Sequence, residues 1–298
     1  MSTTTTPGTA GSGEEQVREQ VRARYAASAR HALSLTDVST PAGADGTAGC
    51  GPSGGCCDGD KDPMSAGLYD ADESPSAGAL AASLGCGNPT ALADLRPGQD
   101  VLDLGSGGGL DVLLSARRVG PGGHAFGVDM TPEMLELARR HQAGAGVQNA
   151  TFLQGTIEDV PLPDGSVDVV LSNCVVNLSP DKPAVVREAH RVLRPGGRLA
   201  VSDIVLLSPV PPALEPVVAL WTGCISGALH AEEYVRILQE AGFVEAGVQI
   251  TRRYTREQLV ELADQVDPAD RPAGMSQDEL VDALDGTFAS AFVRAVRP

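Results

Sequence analysis

Val101-Leu102-Asp103-Leu104-Gly105-Ser106-Gly107-Gly108-Gly109 is the stretch on which the fold turns. It reads as a strand running into a tight glycine turn, with a helix to follow. Glycines there let the backbone adopt positive φ and approach a ligand closely. Outward from this turn, strand-like runs fall at Asp100–Leu104, His124–Val128, Ala150–Gln154, Val167–Leu171 and Arg198–Asp203. Helical patterns lie between them, notably at Pro132–Ala143 and Pro183–Leu193. Such alternation predicts βαβ units and a parallel, doubly wound α/β sheet. Upstream, Val17, Val21 and Tyr25 line one face of a helix over Glu14 to Leu35, preceded by a tail over residues 1–13. After Val205 the pattern changes to Pro209, Pro211 and Pro212, a helix at Ala231–Ala241, a strand near Val248–Tyr254, short helices and a closing strand at Thr287–Val296.

The chain has 298 residues, a hydrophobic content of 42%, an aromatic content of 3% and a formal charge of -17. Its core must therefore be mostly aliphatic. An excess of acid without a basic stripe argues against nucleic acid or an anionic membrane as partner. No apolar run has the length of a bilayer span. Met1 to Gly13 is Thr-, Gly- and Ser-rich, without the basic start and apolar stretch of a secretory signal. A cytoplasmic location is expected, where cysteines stay reduced unless they do redox or metal chemistry. Cys50, Cys56, Cys57, Cys86, Cys174 and Cys224 are too few for a disulfide scaffold, and read better as ligands or redox partners.

The glycine turn is spaced Gly-x-Gly-x-Gly, and Leu110 stands where a dinucleotide fingerprint wants its third glycine. Asp103 precedes the turn, where an acid suits a cationic amino group and sulfonium better than a pyrophosphate. Asp129 closes the next strand, where a carboxylate can accept both ribose hydroxyls. These features favour S-adenosylmethionine over NAD. The arrangement resembles the class I methyltransferases, which implies a Rossmann-like, seven-stranded, mostly parallel sheet. By that resemblance Gly105, Ser106 and Gly107 carry the cofactor loop, Met130 follows the ribose acid, and Thr156-Ile157-Glu158 holds the adenine. Val192 to Leu199 matches the turn before the fifth strand, and Ser172 and Asn173 line the floor under the methyl group.

Cys174 lies just past the strand at Val167–Leu171, at the carboxyl edge that floors the ligand crevice of such folds. Alone it is as well read as a small buried hydrophobe. Cys224, in Gly223-Cys224-Ile225-Ser226-Gly227-Ala228, and Cys86, in Gly85-Cys86-Gly87-Asn88-Pro89, belong to segments expected at the same rim. Thiolates select soft centres. Structural zinc wants four ligands, commonly in paired spacing that this chain lacks. Trivalent arsenic wants three thiolates and keeps a nucleophilic lone pair, so no base is needed.

With Ser172-Asn173-Cys174-Val175-Val176-Asn177-Leu178 and Pro180-Asp181-Lys182, these motifs resemble the arsenite S-adenosylmethionine methyltransferases over residues 14 to 298. The resemblance implies an arsenic-detoxifying methyltransferase in which Cys174 and Cys224 hold As(III) and Cys86 completes a trithiolate for inorganic arsenite. Cys57, or its neighbour Cys56, would pair with Cys86 to reduce the pentavalent intermediate, leaving a disulfide for thioredoxin or glutathione. Cys50 is read as incidental. Removal of residues 1 to 70 would then cost only methylation of inorganic arsenite. The expected organisation is a tail at 1–13, helix and cysteine loop at 14–75, a cofactor domain at 76–207 and an arsenic-binding segment with the end of the sheet at 208–298. A monomer is expected, taking arsenite or its thiol conjugates, without the extra C-terminal domain of longer relatives. A methyltransferase for a small organic molecule, or a thiol-based metal-binding protein on the same fold, are the competing readings.

Overall fold

The computed structural model describes residues 10–36, 94–214, 227–264, 271–272 and 274–298. In chain order these form α1 (Ala10–Thr36), β1 (Asp100–Leu104), α2 (Leu110–Val119), β2 (His124–Asp129), α3 (Pro132–Ala145), β3 (Ala150–Gln154) and β4 (Val167–Asn173). There follow α4 (Lys182–Val192), β5 (Leu193–Leu206), β6 (Leu229–His230), α5 (Ala231–Glu240), β7 (Val244–Arg253), α6 (Arg256–Asp264), α7 (Gln277–Leu284) and β8 (Phe288–Val296).

One sheet runs in the order β3-β2-β1-β4-β5-β8-β7, with the two-residue β6 paired to β5. β1 to β5 pair in parallel, whereas β8 lies antiparallel to both β5 and β7. The chain winds from β1 through β2 to β3, then returns to place β4 on the other side of β1. That reversal opens a crevice at the carboxyl ends of β1 and β4, where open α/β sheets bind ligands. Leu104 pairs with Val128 on one side and Ser172 on the other, so the glycine turn, Asp129 and Cys174 reach the same edge.

Strand periodicity sorts the core. Leu102, Leu104, Val170 and Val201 face Val185, Val186 and Ala189 of α4 and Ile237 and Leu238 of α5. Val101, Val169, Leu171 and Ala200 face Val119 of α2. Burying a side chain of this size is worth about 1.5–3 kcal/mol, so these mostly aliphatic layers, joined by Tyr234 and Phe243, hold the sheet. The helices flanking the crevice begin and end where local chemistry dictates. α3 starts on Pro132 and stops at Gly146, whose φ of 65° is left-handed. Asp181 caps α4 by accepting from Ala184 N at 2.9 Å.

Two boundaries differ from expectation. α1 begins at Ala10, inside the stretch read as a tail, and β5 begins at Leu193 rather than Arg198. The Pro195-Gly196-Gly197 segment forms an irregularity within that strand, because Val167 pairs with Leu193 and Val169 already with Arg198. Proline and consecutive glycines read as a break in the sequence, yet a bulge absorbs them without ending the ladder.

Candidate active site at the carboxyl edge of the sheet

Gly105 and Gly107 take φ of 71° and 48°, which turns the chain from β1 toward α2. A Cβ on Gly105 would lie 2.4 Å from Val175 Cγ1, so only glycine admits this approach of loop to loop. A Cβ on Gly107 would meet nothing within 4 Å, since that backbone faces open space. Asp129 holds the turn in place: its carboxylate accepts from Gly107 N at 2.9 Å and from Thr131 N at 2.8 Å. His141 Nδ1 is 2.8 Å from Gly108 O, so α3 grips the loop from outside.

The loop bounds a cavity at the carboxyl edge of the sheet. Of the residues expected to bind a cofactor, Gly105, Gly107, Asp129 and Met130 form one wall, and Thr156, Ile157 and Glu158 another. Glu158 accepts from Ser179 Oγ at 2.5 Å. Asp103, Ser106 and Asn173 lie off that wall. Asp103 and the Ser106 side chain are buried beneath the turn, and Asn173 Nδ2 donates to Asp111 Oδ2 at 3.3 Å. The role of Asn173 is thus tied to Asp111, a residue not singled out from the sequence.

Charge explains what the site can hold. Burial pushes the Asp103 carboxyl well above its ordinary value, and the nearby Asp111 and Asp129 carboxylates push it further. Asp129 is raised by burial as well, against the lowering effect of the Thr131 and Gly107 hydrogen bonds. Among the described residues no cation is an influence on Asp103. A buried carboxylate flanked by two more is costly until a positive ligand arrives. The donor set therefore fits S-adenosylmethionine, whose ammonium and sulfonium carry positive charge and whose ribose hydroxyls can donate to Asp129.

A further wall comes from α1. Arg18, Val21 and Tyr25 line the cavity, and Arg18 Nη2 stands 3.7 Å from Glu158 Oε1. Ala29 of this helix packs on Met134 and Leu137 of α3. The apolar stripe predicted this helix, but nothing in it told what it would cover. Residues 1 to 70, whose removal is expected to spare only the second methylation, include the helix that supplies this wall.

Cys174 directly follows β4 and is buried, with φ of 56° and its N–H donating to Ser202 O at 2.8 Å. Its neighbour Val175 lines the cofactor cavity, while Cys174 itself packs with Ile204, Leu214 and Ala228. Cys174 is disulfide-bonded. Cys50, Cys56, Cys57, Cys86 and Cys224 all fall outside the described residues. Among the described residues there is no helix long and apolar enough to cross a membrane.

A methyltransferase-domain family model matches residues 95–242. The structure of an arsenic(III) S-adenosylmethionine methyltransferase from Chlamydomonas reinhardtii superposes with a TM-score of 0.61 at 33% identity, covering 75% of this chain and 70% of that one. The chain belongs to the arsenic(III) S-adenosylmethionine methyltransferase family. Its class I methyltransferase fold follows. It is 44% identical over 233 residues to an arsenite methyltransferase of Halobacterium salinarum, covering 77% of this chain and 58% of that protein. An arsenite methyltransferase of Aquipseudomonas alcaligenes is 38% identical over 208 residues, covering 67% and 55%. The chain thus spans little more than half the length of these curated relatives.

Proposed function

We propose that this chain methylates trivalent arsenic held on cysteine thiolates, with S-adenosylmethionine as methyl donor. One observation carries the reading: Cys174 is a single residue from Val175, which both lines the cofactor cavity and abuts Gly105. A sulfur-bound atom on Cys174 is thereby held at the cavity's edge. Bound in that cavity, S-adenosylmethionine supplies an electrophilic methyl group on a cationic sulfur. Asp103 and Asp129 hold its charged and ribose ends, and α1 excludes water from the adenine side. Positioning two reactants this way can contribute roughly 7–11 kcal/mol in favourable model systems.

The thiols do the rest. Cys174 and Cys224 bind arsenic once reduced, and Cys86 adds the third sulfur needed for inorganic arsenite. Each As–S bond replaces an oxygen or small-thiol ligand, whose proton comes from the attacking thiol. The arsenic lone pair takes the sulfonium methyl, S-adenosylhomocysteine leaves, and arsenic rises to a pentavalent state. Two electrons from Cys86 and Cys57 (or Cys56) return it to the trivalent state and leave a disulfide, which glutathione or thioredoxin reduces by exchange.

Mass spectrometry of arsenic products after incubation with arsenite, S-adenosylmethionine and a thiol tests the reading. Methylated arsenicals are expected from the native chain. Cys174→Ser and Cys224→Ser should yield none while still binding cofactor, and Cys86→Ser should lose arsenite yet keep trivalent monomethylarsenite as substrate. Unmethylated arsenic from the fully reduced native chain would refute the proposal.

A further inference from the structure

Arg18, Val21, Tyr25 and Ala29 recur at three- and four-residue steps, so they share one face of α1. Ala29 packs on Met134 and Leu137 of α3, and Arg30 donates to Glu133 at 2.5 Å beside it. Those contacts fix the helix in register on the fold. The same face, followed toward the N-terminus, brings Tyr25, Val21 and Arg18 to the cofactor cavity. Arg18 is the polar member of the series.

The Arg18 side chain is 37% exposed, yet its Nε is buried and has no hydrogen-bond partner among the described residues. Its Nη2 stands 3.7 Å from Glu158 Oε1, which also accepts from Ser179 Oγ at 2.5 Å. On the outer side Arg18 borders a second hollow with Glu15, Glu19 and Arg22, where Glu19 is 3.8 Å from Arg22. A simple ion pair with Glu158 accounts for Nη2 and contributes little. It does not account for Nε, because a buried N–H without an acceptor is unfavourable. A bound molecule that supplies an acceptor removes that penalty.

We infer that Arg18 is a specificity-determining residue for the cofactor: its Nε donates to the adenine ring nitrogen beside the 6-amino group, while Glu158 accepts from that amino group. The inference rests on the reading that seats the adenine of S-adenosylmethionine at Thr156-Ile157-Glu158, and adds to it a donor from a helix outside the sheet. A donor and an acceptor side by side match adenine, which offers N–H at its 6-amino group and a lone pair at N1 or N7. Hypoxanthine puts an oxygen where the amino group stands, facing the Glu158 carboxylate. A site built to pair polar groups rejects such an analogue strongly, since its own groups lose their partners. Arg18 acts on cofactor choice and takes no part in methyl transfer.

Titration calorimetry on the full chain tests this with S-adenosylhomocysteine, which binds without turning over. The native chain should bind S-inosylhomocysteine at least about tenfold more weakly. Of the 1-deaza and 7-deaza forms of S-adenosylhomocysteine, one should lose roughly tenfold, the effect of one hydrogen bond from a charged donor. Arg18→Met keeps an apolar stem and removes the donor. Its affinity for S-adenosylhomocysteine should fall roughly tenfold, and the deaza penalty should shrink to less than about twofold, as a double-mutant cycle between Nε and the ring nitrogen requires. A merely structural arginine would weaken every analogue alike and leave the ratios unchanged. Should Arg18→Met bind too weakly to measure, Arg18→Lys decides, because it keeps a cation beside Glu158 but lacks Nε, and the same shrinkage is expected. A native chain indifferent to both deaza forms, or equal penalties in native chain and variant, overturns the inference and leaves the cofactor reading standing. A native chain that does not bind S-adenosylhomocysteine overturns both. Absence of arsenic methylation by the native chain sinks the proposed function alone, since the binding cycle does not depend on it.

Discussion

Asp103 beneath the cofactor turn, Asp129 at the cavity wall and Asp203 on β5 each give a residue-scale prediction. Asp103 is raised by burial and by its acidic neighbours, so a cationic ligand favours its ionised form. S-adenosylmethionine binding should therefore release protons and tighten as pH rises. Calorimetry in two buffers of different ionisation enthalpy checks this, and proton-neutral binding would count against Asp103. Asp129→Ala removes the acceptor for Gly107 N and Thr131 N as well as the proposed ribose contact. At about 1.5–3 kcal/mol for a charged hydrogen bond, cofactor affinity should fall roughly ten- to a hundredfold in equilibrium dialysis. Asp203 acts on stability instead. Burial raises it from 3.8 to about 8, while Lys182 from α4 and the Ile204 and Asn177 hydrogen bonds pull it down. Tyr234 from α5 also feels its charge. A folded value above the unfolded one means the stability it contributes is full below about 3.8 and lost as pH rises through about 8. Thermal midpoints across that window should fall with pH, and Asp203→Asn should flatten the slope. An unchanged slope would show that Asp203 does not hold its proton. Asp103 and Asp203 both sit in apolar strands, where a sequence shows an acid but not how deeply it is buried. Asp103 drew notice through its glycine turn, whereas Asp203 had no motif to mark it.

At the scale of elements, the glycine turn and α1 form opposite walls of one cavity. Gly105→Ala would drive a methyl group into Val175, the residue after Cys174, so the cofactor loop and the cysteine turn must part. Cofactor binding should drop at least about a hundredfold, in line with the several kcal/mol that backbone strain and overpacking together impose. Gly105→Ala with Val175→Ala should recover part of it, because two of the three clashing atoms are gone. No recovery would place the defect in φ alone. On the other wall, Tyr25→Ala should raise the KM for S-adenosylmethionine and spare the affinity of reduced thiols for phenylarsine oxide. Loss of both would mean that α1 supports the whole fold rather than one wall. The turn was legible because its spacing is local, and α1 was legible as a helix because its apolar stripe repeats over a few residues. Its target was not, since Arg18 and Glu158 are remote in sequence and meet only in space.

Across the whole molecule, the proposed chemistry depends on whether sulfurs from separate segments share one atom. Cys174 is disulfide-bonded, a state that cannot ligate arsenic until reduced. Arsenic methylation should therefore be lost after dialysis from thiols and recover on adding glutathione or thioredoxin, with S-adenosylmethionine binding constant throughout. Recovery without any thiol would exclude this redox requirement. By itself the sequence determined the strand-turn-helix at Gly105 and the succession of strands and helices along the chain. All of these are short-range patterns, set by backbone sterics and by periods of two or about 3.6 residues. Tertiary structure alone decided that α1 closes the cavity, that Asp111 joins Asp103 and Asp129, and that Arg18 stands beside Glu158. The reason is that burial and close approach belong to pairs of residues far apart in the chain, and no local pattern records which distant surface will exclude the water.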